Sequence, residues 1–144
     1  MLCQLIIYTE RCGNWNHNVR YDINRVSYKI YADFLSLVDN FYAQEKNVKW
    51  YADRLNISVM TLSKYVDEYN SGPEDKVTPL KIINYRRMEE AKRLLIGTND
   101  NINVISEKLG FDECSNFVKF FKRMDYDGRT PVAYRNEMKS VIFE

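Results

Sequence analysis

One stretch of this chain, residues 102–135, constrains the fold more than any other. Apolar residues recur there at helical spacing at Ile102, Ile105 and Leu109, and Gly110 then supplies a residue that tolerates the left-handed backbone at which helices commonly end. A second helix with an apolar face follows, because phenylalanines recur at i, i+3 and i+4. They are Phe117, Phe120 and Phe121. The stretch therefore predicts two short helices joined by a tight turn.

The same outline occurs earlier in the chain. Val48, Ala52 and Leu55 are spaced as in a helix, and Ser58 is a natural N-cap for a second helix. The apolar face of that second helix is formed by Leu62, Tyr65, Val66 and Tyr69. A helix, a tight turn and a second helix with a polar outer face make a helix-turn-helix, so the sequence predicts two such motifs.

Two further helices complete an all-α prediction. Thr78 and Pro79 place an N-cap before a proline at the first helical turn, and a helix from Pro79 to Ile96 would be about 27 Å long. Residues 28–42 form an amphipathic helix whose aromatic stripe is expected in the core. The predicted segments are an N-terminal stub or linker at 1–26, a first helix-turn-helix lobe at 27–77, a spacer helix at 78–97 and a second lobe at 98–144.

These residues resemble the C-terminal DNA-binding domain of AraC/XylS-type bacterial transcription regulators, and the resemblance covers most of the chain after residue 47. Its most specific parts are Arg87…Ala91…Leu94-Leu95 in the spacer and the run Ile-x-x-Ile-x-x-x-x-Gly-Phe…Phe-Lys…Thr-Pro-x-x-Tyr-Arg. The resemblance implies two homeodomain-like lobes on a long spacer helix. It also implies a sequence-specific DNA-binding regulator that inserts two recognition helices into successive major-groove segments.

The resemblance further implies which side chains would contact DNA. In the first recognition helix they are Val59, Met60, Ser63 and Lys64. In the second they are Cys114, Ser115, Asn116 and Lys119, with Phe120 as a further candidate. The lysines could donate hydrogen bonds to guanine or to phosphate, and Asn116 could hydrogen-bond to adenine. Met60 could contact the methyl group of thymine. Arg87, Lys122 and Arg123 are candidates for phosphate contact, and Arg87 could instead brace the two lobes.

The positive and negative charges of the whole chain nearly cancel, so a prediction of DNA binding depends on local clusters of cations. Twenty-one lysines and arginines against 20 carboxylates give a net charge of +1, which does not by itself indicate a polyanionic partner. Cations concentrate between Lys81 and Arg93 and between Lys119 and Arg135, where they could neutralise phosphates. The alternative is that both clusters are solvated helix faces. The loops 70–77 and 124–129 are longer than the family pattern, so no phosphate contacts are assigned to them.

Other functions are less compatible with the sequence. One histidine, no glycine-rich phosphate loop and three cysteines without ligand spacing predict no catalytic residues, no metal and no cofactor. No run approaches the ~20 apolar residues of a membrane span, so a cytoplasmic, nucleoid-associated protein is expected. The expected partners are double-stranded DNA and RNA polymerase, with homodimerisation through a missing N-terminal domain. The rival hypothesis is a helical protein-interaction module, or a truncated regulator that keeps the fold without specific DNA binding.

Overall fold

A computed structural model of the chain describes residues 21–70 and 75–142. Seven helices occupy these two ranges, and neither range contains a strand, which confirms the all-α prediction. They are α1 (Tyr21–Phe41), α2 (Val48–Arg54), α3 (Val59–Asn70), α4 (Pro79–Gly97), α5 (Ile102–Lys108), α6 (Cys114–Met124) and α7 (Pro131–Ile142). None of these helices is both long and apolar enough to cross a membrane. Most of the predicted stub 1–26 and the middle of the loop 70–77 lie outside the described residues.

Two helices, α3 and α4, begin at caps that the sequence predicts. Ser58 Oγ accepts a hydrogen bond from the backbone N–H of Thr61 at 3.0 Å, and Thr78 Oγ1 accepts one from Lys81 at 3.3 Å. These side chains satisfy backbone donors that have no partner within the helix. Two asparagines to which the sequence analysis gave no role cap the short helices α2 and α5; they are Asn47 and Asn101.

The described residues divide into two compact units. Unit 1 comprises residues 21–40 and 47–82 of the described chain, and unit 2 comprises residues 41–46 and 83–142. In unit 1, α1 covers the helix-turn-helix formed by α2 and α3. The Phe34 ring meets the Tyr51 ring edge-on at 5.7 Å, and Tyr31 stacks on Tyr69 at 5.3 Å. The prediction that the aromatic stripe of this helix lies in the core is confirmed for Tyr31 and Phe34.

Unit 2 has one core that is shared by four helices. Its buried side chains are Met88, Ala91, Leu94 and Leu95 of α4, Ile105 of α5 with Leu109 at its end, Phe117, Phe120 and Phe121 of α6, and Tyr134 of α7. The helix predicted as a spacer is thus packed along much of its length against the second helix-turn-helix. This packing holds α6 by its apolar face and leaves the opposite face to solvent.

The two helix-turn-helix turns have the same backbone form. Gly110 has φ +74° and Asn56 has φ +54°. Both values lie in the left-handed region, which glycine and asparagine adopt at lower cost than other residues. In each turn the next residue donates its N–H back into the preceding helix, from Phe111 to Ser106 at 3.0 Å and from Ile57 to Ala52 at 3.1 Å. This role was predicted from the sequence for Gly110 but not for Asn56.

At the turn of unit 2, two segments of backbone also approach each other closely. A Cβ atom added to Gly110 would lie 1.6 Å from the carbonyl oxygen of Ala43. Arg87 joins the same two segments, because its Nε donates to the carbonyl of Tyr42 at 2.9 Å and its Nη2 to that of Leu109 at 2.8 Å. The guanidinium also lies 4.6 Å from the centre of the Phe111 ring. Segment 41–46 is therefore held against the turn that leads into α6.

Gly110→Ala should lower the free energy of unfolding by at least about 2 kcal/mol, because the left-handed backbone disfavours a side chain and the new methyl would displace the Ala43 carbonyl. Urea denaturation followed by circular dichroism measures this loss. Gly97→Ala is the control, since a Cβ at Gly97 meets nothing within 4 Å. Equal urea midpoints for the two variants would contradict the account of this turn.

Arg87→Lys should lower the free energy of unfolding by roughly 1.5–3 kcal/mol, because an ammonium cannot reproduce the planar fork and leaves a buried carbonyl unsatisfied. The control is Arg93→Lys in the same helix, where the arginine is largely exposed and pairs with Glu90. If both variants unfold at the same urea concentration, the bonds of Arg87 do not stabilise unit 2 as described.

Candidate nucleic-acid interface

The outer face of α3 carries the residues predicted for the first recognition helix. Leu62 and Val66 are buried on the inner face of this helix. On the outer face Met60 is 82% exposed and Val59 is 40% exposed. Lys64 is exposed one turn further on, and Ser63 is half-buried. The structure therefore brings these four candidates to one side of one helix, with Ser63 the least accessible.

The outer face of α6 carries the second set. Ser115, Asn116 and Lys119 are exposed, and Cys114 is half-buried at the start of the helix. Lys122 and Arg123, predicted to contact phosphate, are exposed in the last turn. Phe120 was expected as a further reading residue, and this expectation is wrong. Its side chain is only 6% exposed and packs in the core, because it shares the apolar face with Phe117 and Phe121.

Glu113 is the N-cap residue of α6, yet its side chain accepts no hydrogen bond from the helix backbone. Instead, its Oε2 accepts a bond from the Ser115 hydroxyl at 3.2 Å. A carboxylate at this end of a helix interacts favourably with the exposed N–H groups. Neither Asp112 nor Glu113 was among the residues predicted to bind DNA. Both are exposed beside the predicted reading residues.

Arg87 is not available to a phosphate group. The residue is 3% exposed, and its guanidinium donates to the carbonyls of Tyr42 and Leu109. Of the two roles that the sequence left open, phosphate contact is excluded by this burial. The bracing role remains, but in a different form, since the two carbonyls and Arg87 all belong to unit 2.

The cation cluster of α4 is largely neutralised within the protein. Arg93 Nε donates to Glu90 at 2.9 Å, and Arg86 lies 3.6 Å from the same carboxylate. The hydrogen bond from Arg93 is the main reason that the pKa of Glu90 lies below its ordinary value, although burial opposes this shift. Lys92 pairs with Asp125 at 3.7 Å. Three cations of this cluster, Arg86, Lys92 and Arg93, therefore form internal ion pairs and do not make the phosphate-binding surface that the cluster suggested.

The second cluster divides into two groups. Arg129 donates through Nε to Asp125 at 2.8 Å and through Nη1 to Glu137 at 2.8 Å, and its hydrogen bond lowers the pKa of the Asp125 carboxyl against the opposing effect of burial. Arg135 donates to the carbonyl of Leu95 at 3.0 Å. The remaining cations all lie on α6; they are Lys119, Lys122 and Arg123. Within the two described ranges, none of these three forms an ion pair.

The arrangement is suited to binding a polyanion through helices that present short polar side chains and cations. The inner face of each recognition helix is buried in the core of its own unit, and this packing fixes the positions of the outer side chains. Amide, hydroxyl and ammonium groups at the N-terminal half of such a helix are the donors that contact base edges in the major groove.

Known proteins are similar to this chain in sequence. Residues 51–137 match the family model described as "Helix-turn-helix domain". The chain is 46% identical over 59 residues to the HTH-type transcriptional regulator YisR of Bacillus subtilis, covering 41% of this chain and 20% of YisR. It is 36% identical over 92 residues to YobQ of the same organism, covering 61% of this chain and 37% of YobQ. The chain thus spans well under half the length of these relatives.

A solved structure extends the likeness to three dimensions. The C-terminal domain of AraT, a response regulator from Geobacillus stearothermophilus, superimposes with a TM-score of 0.66 at 26% identity, over 75% of this chain and 84% of that domain. The family model covers more than half of the chain, from α2 into α7. The duplicated helix-turn-helix, the shared core of unit 2 and these matches lead to one assignment: the chain belongs to the AraC-type helix-turn-helix family of transcription regulators.

Proposed function

We propose that this chain is the DNA-binding part of a sequence-specific transcription regulator that places α3 and α6 in successive major-groove segments of double-stranded DNA. The observation that carries the proposal is the division of cations in unit 2. Those of α4 and α7 bond internally, whereas Lys119, Lys122 and Arg123 of the recognition helix stay exposed. Exposed cations of this kind can neutralise the phosphates that flank the groove.

The individual residues take roles that follow from their chemistry. Lys64 and Lys119 donate to guanine or to phosphate, and Asn116 pairs with adenine. Lys122 and Arg123, in the last turn of α6, contact phosphates that flank the bases. Ser63, Ser115 and Cys114 complete the reading faces. Because no arginine stands among the reading positions, discrimination at each base is modest and depends on the sum of both helices.

The protein as a whole is proposed to act without catalysis. Regulators of this family bind DNA and thereby activate or repress transcription. We therefore assign the chain a binding role and no cofactor. RNA polymerase and a second copy of the regulator, joined through an N-terminal domain, are the proposed protein partners. The proposed location is the cytoplasm, in association with the nucleoid.

A helical protein-interaction module is the rival function, and salt dependence separates the two. Phosphate contact makes log K fall steeply with the logarithm of salt concentration, with a slope of about −0.9 for each phosphate neutralised. A module that has lost DNA binding would show weak association with duplex of any sequence. The duplex for this test comes from selection of a random library by the 144-residue chain.

Lys119→Ala and Lys64→Ala should each weaken binding to the selected duplex by about tenfold, or ~1.4 kcal/mol. Lys122→Ala should weaken binding to all sequences similarly and make the salt slope less steep by about 0.9. Fluorescence anisotropy titrations at several salt concentrations measure both effects.

The matched control is Lys29→Ala, which removes one exposed positive charge from α1 and leaves both recognition helices intact. It should bind the selected duplex within about twofold of the parent chain, since a surface charge outside the interface contributes little. If Lys64→Ala and Lys119→Ala bind as tightly as this control at every salt concentration, the assigned reading faces are wrong.

A further inference from the structure

We propose that the two recognition helices read DNA through different chemistry, with α3 selecting thymine by its methyl group and α6 supplying the electrostatic attraction. Met60 makes the methyl contact, with Val59 beside it. This inference rests on the proposed function and names the base that the first half-site must contain.

The first turn of α3 presents an apolar surface to solvent. Its polar side chains bond to one another, since Ser58 Oγ accepts the N–H of Thr61 and lies 2.9 Å from the Thr61 hydroxyl. Val59 and Met60 are the apolar side chains exposed at this end of the helix, beside Ser58, and Met60 is twice as exposed as Val59, at 82% against 40%. The N-terminal turn of a recognition helix is the part that reaches base edges.

The charges of the two helices differ in sign. Within α3 one cation, Lys64, stands against Asp67 and Glu68, which gives a net charge of −1. Within α6 there are three cations and no carboxylate, which gives +3. Attraction to phosphate therefore comes mainly from α6. Beyond the contact assigned to Lys64, the free energy that α3 contributes has to come from another kind of contact, because its own carboxylates repel the DNA backbone.

The major groove offers one apolar group to such a helix. The C5 methyl of thymine projects into the groove, whereas the other base edges present hydrogen-bond donors and acceptors. An unbranched, polarisable methionine adapts well to a methyl surface of this kind. Burying an exposed Met60 against it removes apolar surface from water on both partners.

The test replaces each thymine of the selected duplex, one at a time, by deoxyuridine, which removes the methyl and leaves base pairing intact. At one or more positions the parent chain should bind about fourfold more weakly, the value of one buried CH₂ group (~0.8 kcal/mol). Met60→Ala should bind the thymine and deoxyuridine duplexes equally at those positions. Because Met60 is 82% exposed, this variant should melt at the same temperature as the parent.

Asn116→Ala is the matched control on α6. It should bind all duplexes more weakly, yet keep the full deoxyuridine penalty at the positions that Met60→Ala makes insensitive. If no position shows a penalty while binding stays sequence-specific, the methyl contact is refuted and the proposed function stands. A penalty that survives in Met60→Ala, or disappears in Asn116→Ala, equally refutes it. If the selection yields no preferred sequence, the proposed function itself fails.

Discussion

The stability of unit 2 depends on the hydrogen bonds made by one buried charge, the guanidinium of Arg87. A guanidinium removed from water is costly unless its donors find acceptors, and Arg87 places two of them on backbone carbonyls and its face over Phe111. Leu109 ends the first helix of the motif, and Phe111 leads toward the second. The bonds of Arg87 therefore hold the turn that sets the direction of α6, and with it the positions of the side chains assigned to DNA.

A net charge of +1 is compatible with DNA binding because the fold pairs some cations of unit 2 internally and leaves others exposed. Arginines and lysines of α4 and α7 meet carboxylates or backbone carbonyls, and these contacts stabilise the packing of helices. The cations of α6 have no such partners in the described residues. A global charge balance hides this division, since an internal ion pair and an exposed pair of opposite charges contribute identically to the total.

Local patterns in the chain predicted much of the fold. Helical periodicity located the amphipathic helices, and the caps at Ser58 and Thr78 located two of their starts. Gly110 was expected at the turn because glycine is the usual residue there, whereas Asn56 was missed because asparagine is a weaker signal for the same backbone. These features depend on residues a few positions apart, which the sequence displays directly.

The candidate site was predicted only in part, because exposure is a property of the packed chain. Resemblance located the outer faces of α3 and α6, but it also included Phe120, whose position on α6 turns it into the core. The cation clusters could not be divided from sequence, since Lys92 and Asp125 are far apart in the chain and meet only after folding.

The sequence by itself determined the helices, their caps and the duplicated motif, because short-range spacing and backbone preference decide these features. The tertiary structure alone decided which cations stay exposed, why Arg87 is buried, and why residue 110 has no room for a side chain. The physical reason is that burial and ion pairing join residues from distant parts of the chain, and their cost or benefit exists only once those parts are packed together.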